Sequence, residues 1–226
     1  MGFFYLYSMD NKQIIQSLVN QLKPIFEKDS SGHDWFHIER VYNIAKQIAI
    51  KEKVNVFIVE LGALLHDIAD HKFVDNFEFE SIKRTTELLS QFKDISQLEI
   101  DAVIHIVLNC SYKGGTGPNK MKSIEGRIVQ DADKLDAIGA IGIARTFAFG
   151  GKFGSILYHP DIKPLNHKNL ESYHKNRSHT INHFYEKLLK LKDLMHTDTA
   201  KNIATERHQF METFLNQFYR EWKSEL

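Results

Sequence analysis

Four side chains, distant in the chain and of two types, stand out for the chemistry they could do together: His37, His66, Asp67 and Asp133. His66 and Asp67 close an apolar run that starts at Leu61 and continues as Ile68-Ala69-Asp70-His71. A helix can bury an apolar stripe with Leu and Ala alone, so an imidazole and a carboxylate at its end cost free energy unless something satisfies them. A divalent cation would do so. Adjacent residues project about 100° apart on a helix, so His66 and Asp67 cannot share a face as residues four apart do. They can instead straddle an ion near the helix end. Two imidazoles and two carboxylates make a mixed N/O set suited to Mn, Fe, Co, Ni or Zn, with positions left for water or substrate. Without an ion, the same residues read as a core His-Asp pair plus surface carboxylates.

The elements that must position these side chains are helices. Four prolines, few alternating segments and many i, i+3, i+4 apolar rows predict an all-α protein. It reads as a single-domain helical bundle over residues 10–226, with 1–9 as an N-terminal extension and Met9 as a candidate start. The first helix runs from Asp10 with Ile14, Ile15, Leu18, Val19, Leu22, Ile25 and Phe26 as its stripe, is bent or interrupted at Pro24, and is broken by Ser30-Ser31-Gly32. Asp34 caps the second, which carries Ile38, Val41, Tyr42, Ala45, Ile48 and Ala49 inward and His37 in its first turn. Asn55 caps the third, through His66. An antiparallel pair of these helices would set His37 beside His66.

A fourth helix spans Phe77 to Phe92 with Ile82, Leu88 and Leu89 inward, and Ser96 with Glu99 forms a capping box for a fifth, to about Asn109. Lys113 to Pro118 is a loop on its glycines and proline. Ser123 opens a sixth helix through Ile124, Ile128, Val129 and Leu135, which carries Asp131, Asp133 and Asp136. Residues 150–178 are less regular and long enough to form a lid or binding loop. Helices from about His179 to Met195 and Thr199 to Trp222 close the chain, burying Phe184, Leu188, Leu191, Phe210, Phe214 and Phe218.

Composition narrows the function classes. A 226-residue chain with 42% hydrophobic content is not disordered. Lys+Arg and Asp+Glu balance at 29 each, so no global field attracts nucleic acid or anionic membrane, and neither is expected as a partner. The lone Cys110 cannot form an intramolecular disulfide, which suits a cytoplasmic location. Met1 to Ser8 lacks the basic region of a signal peptide, and no apolar stretch approaches the roughly 20 residues that span a bilayer.

His33-Asp34-Trp35-Phe36-His37, then His66-Asp67, then Asp131 to Ala140 stand in the order of a known pattern. With these motifs the chain resembles the HD superfamily of metal-dependent phosphohydrolases, and more narrowly its small single-domain bacterial members. The similarity extends into His183-Phe184-Tyr185-Glu186-Lys187-Leu188 and so covers most of the chain. It implies an HD-type fold, one divalent ion (Mn, Co, Ni, Fe, Zn or Mg) held by His37, His66, Asp67 and Asp133, and a small phosphorylated substrate, most plausibly a nucleotide.

Within that class, pyrophosphate release from a nucleoside triphosphate leads, ahead of phosphomonoester or phosphodiester hydrolysis. The resemblance also implies that Asp70 assists proton transfer and that Lys134 touches a phosphate. Helix capping or an ion pair with Lys72 is the alternative for Asp70, and a surface position the alternative for Lys134. His33, Arg40, His105, Arg145, His183 and Lys187 are candidate substrate contacts, with local hydrogen bonding or core packing as their alternatives. His105 shares a face with Asn109, and His179 with His183. A nucleotide-sensing module without turnover is the rival from another class, followed by a diiron oxygenase, for which extra His ligands are scarce. A homodimer is a further expectation.

Overall fold

The structure is a computed structural model that describes residues 8–27, 34–69, 76–110, 119–165 and 178–225. Among the described residues the regular elements are all helical. Contacts group the chain into two compact units, Met1–Ser111 with Met121–Val129 and Tyr112–Lys120 with Gln130–Leu226.

The first unit holds α1 (Asn11–Phe26), α2 (Trp35–Glu52), α3 (Val56–Leu65), α4 (Phe77–Leu89) and α5 (Gln97–Cys110). Each start has a local chemical cause. Asp10 and Gln13 form a reciprocal capping box on α1, Asp34 accepts from the backbone of His37, and Asn55 and Asn76 do the same for α3 and α4. Ser96 and Glu99 close the expected box ahead of α5. Pro24 is accommodated inside α1, in its last turn.

Helix α3 is the centre of this unit: every residue from Phe57 to Leu65 is buried, and α1, α2 and α5 all pack on it. Gly62 allows the close approach. A Cβ there would lie 3.0 Å from the Ile106 side chain and 3.4 Å from Val129. Glu60, also buried, is satisfied from α2 by Tyr42, whose hydroxyl donates at 2.7 Å, and by Lys46 at 2.6 Å. Burial and the Glu60 carboxylate raise Tyr42, and the same carboxylate raises Lys46.

Helix α6 (Ile124–Asp136) starts in the first unit, where Ser123 Oγ accepts from Gly126, and its last turns belong to the second. The second unit continues with α7 (Gly139–Lys152), the short α8 (Asn182–Glu186), a 3-10 helix (Leu188–Leu194) and α9 (Asp198–Trp222). Phe184 is buried in it, stacked on Phe214, and Phe147 meets both rings at an angle, with ring centroids 5.8–6.1 Å apart.

Several sequence expectations are corrected. Helix α7 was not foreseen, and the helix expected over His179 to Met195 is split into α8 and the 3-10 segment. Ile25, Ile82 and Phe210 are exposed rather than inward. On α4 the buried row is Ser81, Thr85 and Leu89, and on α9 it is Ala200, Ala204, Met211 and Leu215. The break at Ser30-Ser31-Gly32, the loop at Lys113 to Pro118 and residues 166–177 of the irregular stretch lie outside the described residues.

Leu64 is fully buried in α3. Leu64→Ala should lower stability by about 2–5 kcal/mol, the range for deleting a buried aliphatic side chain, read as a lower urea midpoint.

Candidate metal centre

Within the first unit, His37 enters from the first turn of α2, whose start Asp34 pins by accepting from the His37 amide at 2.9 Å. His66 caps the C-terminal end of α3. The packing of α2 on α3 brings these ends together, and the two Nε2 atoms lie 3.3 Å apart on rings that are both buried. Asp67 turns its carboxylate to the same point: Oδ2 is 3.5 Å from Nε2 of His37 and 3.5 Å from Nε2 of His66.

The tautomer of His66 follows from its other nitrogen. Nδ1 lies 2.8 Å from the Ala63 carbonyl oxygen, which can only accept, so Nδ1 carries the hydrogen and Nε2 of the neutral ring presents a lone pair. That is the state a metal-ligating imidazole needs, held by the backbone bond that such ligands commonly make. Two imidazole nitrogens and one carboxylate oxygen, mutually within 3.5 Å, fit a divalent ion of the N/O-binding class. His37 and His66 are members of a potential His/Asp metal-binding group.

Asp133 lies on α6 in the second unit and is partly exposed. Asp131, two residues earlier, is fully buried there and has a structural occupation. Its carboxylate accepts from the backbone of His196 at 2.9 Å and from the backbone and hydroxyl of Thr197 at 2.9 Å each, anchoring the start of α9. Lys134 is buried, with Nζ 3.9 Å from an Asp131 oxygen. Asp136 accepts from Arg145 and is likewise buried.

Arg40 is half-buried on α2, and His105 on α5 engages Asn109, whose amide nitrogen is 3.4 Å from its Nδ1. His179 uses both ring nitrogens locally, accepting from the Asn182 amide and donating to the Ile162 carbonyl, so it forms no chelate with His183. His183 lies within α8, and Lys187 is its C-cap. His33, Asp70, His71 and Lys72 lie outside the described residues. Sequence reading had no signal for the Ala63 carbonyl that orients His66, because a backbone acceptor carries no residue signature.

Comparison with known proteins accords with this centre. The HD domain family matches residues 35–138, which include His37, His66, Asp67 and Asp133. The chain is 40% identical over 201 residues to YpgQ of Bacillus subtilis (strain 168), covering 88% of this chain and 89% of that one. It belongs to the HD superfamily.

Among solved structures, an HD-superfamily hydrolase from Bacillus thuringiensis is 42% identical with a TM-score of 0.77, covering 96% of this chain and all of that one. YpgQ crystallised in complex with ADP is 36% identical with a TM-score of 0.75, covering 94% and 97%. A Lactobacillus plantarum protein is 34% identical with a TM-score of 0.81, covering 96% and 100%.

Desolvation, reinforced by the Lys187 charge, lowers the His183 imidazole to about 3. An unfolded His titrates near 6.5, so below that pH the unfolded chain binds the extra proton first, and stability falls as pH drops toward 3. Between pH 7 and pH 5 this group should remove about 1–2 kcal/mol. Chemical denaturation of His183→Gln across that range should show a correspondingly flatter pH dependence than the parent.

Proposed function

We propose that this protein is a metal-dependent phosphohydrolase acting on nucleotides, and that its reaction is pyrophosphate release from nucleoside triphosphates. The observation that carries the reading is the meeting of His37 Nε2, His66 Nε2 and Asp67 Oδ2 within 3.5 Å at a buried helix end. Three such donors leave positions for a further ligand, water and a substrate oxygen. The fourth protein donor is Asp133, the remaining member of the family pattern. When bound, the ion supplies a Lewis acid for a phosphoryl oxygen and lowers the pKa of a coordinated water.

The chain's own residues do the rest. Asp70, four residues beyond His66, holds or returns the proton during water attack and departure of the leaving oxygen. Lys134 offers a compact cation to the phosphate chain. His33, Arg40, His105, Arg145, His183 and Lys187 are the candidate contacts to the rest of the substrate. Phosphoryl transfer needs little beyond positioning and charge stabilisation, so a few side chains suffice. The ADP complex of the relative YpgQ supports a nucleotide as the substrate class. Residues 10–226 act in this reading as one functional domain, in the cytoplasm, as a homodimer.

A screen of nucleoside triphosphates with Mn, Co, Ni, Fe, Zn and Mg, following pyrophosphate and orthophosphate, tests the reading. Pyrophosphate release is expected. Nucleotide binding without turnover under every metal would make the protein a sensor, and oxygen uptake with iron would make it an oxygenase. His66→Ala and Asp67→Ala should lose metal retention and turnover together. Asp70→Ala should keep the metal and lose about 10²–10⁴-fold in rate. Parent-level turnover by Asp67→Ala would overturn the ligand assignment.

A further inference from the structure

The His66-Asp67 pair stands just beyond the regular part of α3, in a short turn. The Ile68 amide closes it by donating to the Leu65 carbonyl at 2.9 Å. His66 has its own anchor in the Ala63 carbonyl. On the far side, the Ile68 carbonyl lies just past the helix end, and the Ile68 and Ala69 side chains around it are buried. It is satisfied from another element: Nη1 of Arg84, on α4, donates to it at 3.2 Å.

Arg84 is itself held. Its Nε donates at 3.1 Å to Glu80, one turn earlier on α4. The guanidinium is planar and its donors diverge at fixed angles, so a side chain pinned at Nε by a carboxylate and at Nη1 by a carbonyl has little freedom left. Arg84 thus carries the position of α4 to the peptide that follows Asp67. An exposed i, i+4 Glu-Arg pair is worth little by itself. This one orients a donor toward the turn that carries two metal-ligand candidates.

We propose that Arg84 is a positioning residue for the metal centre, its bond to the Ile68 carbonyl fixing the direction in which Asp67 presents its carboxylate to a divalent cation. The inference rests on the metal reading above. Groups that orient ligands from outside the coordination sphere typically contribute about 10–100-fold to metal affinity. Lysine cannot reproduce the role, because a single ammonium cannot span the carboxylate and the carbonyl in a fixed plane.

The test compares the full-length parent with Arg84→Met, Arg84→Lys and Glu80→Gln. Mn²⁺ affinity is measured from the paramagnetic resonance of free Mn²⁺, and unfolding midpoints are measured in chelator and in excess Mn²⁺. Arg84→Met should bind Mn²⁺ about 10–100-fold more weakly, with a smaller metal-induced rise in midpoint. Arg84→Lys should fall between it and the parent, and Glu80→Gln should also weaken binding.

Parent-level Mn²⁺ affinity in Arg84→Met, or a midpoint lowered equally with and without Mn²⁺, would overturn the positioning role while leaving the metal site intact. If Arg84→Met does not fold, parent-level affinity in both Arg84→Lys and Glu80→Gln overturns it. No Mn²⁺ binding by the parent would remove the metal reading and this inference together.

Discussion

The first unit depends on the burial of two imidazoles where the start of α2 meets the end of α3. Helix α3 is apolar enough to sit at the middle of its unit, with α1, α2 and α5 packed around it. That packing removes His37 and His66 from water and sets their Nε2 atoms 3.3 Å apart, with a carboxylate oxygen 3.5 Å from each. Buried polar groups are tolerated when they are satisfied, and here the donors face one another around a common point. The Tyr42-Lys46-Glu60 group satisfies the other buried charge on the same helix pair and ties α2 to α3.

Local hydrogen bonds convert this packing into directed chemistry. Asp34 holds the first turn of α2, the Ala63 carbonyl selects the His66 tautomer, and Arg84 reaches the carbonyl just after Asp67. Each is a bond from a neighbouring element or turn to a group beside a donor. In the second unit the corresponding work is done by Asp131, whose buried carboxylate gathers the amides that open α9 and leaves Asp133, two residues on, a different direction.

Much of the fold was legible because its signals are local. Asp34, Asn55 and the Ser96-Glu99 box all cap the helices they were expected to cap, since capping needs only a side chain and amides within three residues. The rows that failed did so for one reason: periodicity tells which residues are apolar, not which face a neighbour covers. Ile25, Ile82 and Phe210 match a helical stripe yet are exposed, while Ser81 and Thr85 are buried. Helix α7 carries no such local start signal, because Ile138 at its N-cap offers no side-chain acceptor.

The sequence by itself determined the helical class, most helix starts, the HD pattern and the candidate donors His37, His66 and Asp67. All of these are written in residue type and spacing. Tertiary structure alone decided that His66 is oriented by a backbone carbonyl, that Asp131 is a structural anchor, that Arg145 engages Asp136, and that Arg84 bonds to the turn after Asp67. These are contacts through space, many of them with backbone atoms that every residue shares, and no one-dimensional pattern distinguishes one backbone carbonyl from another.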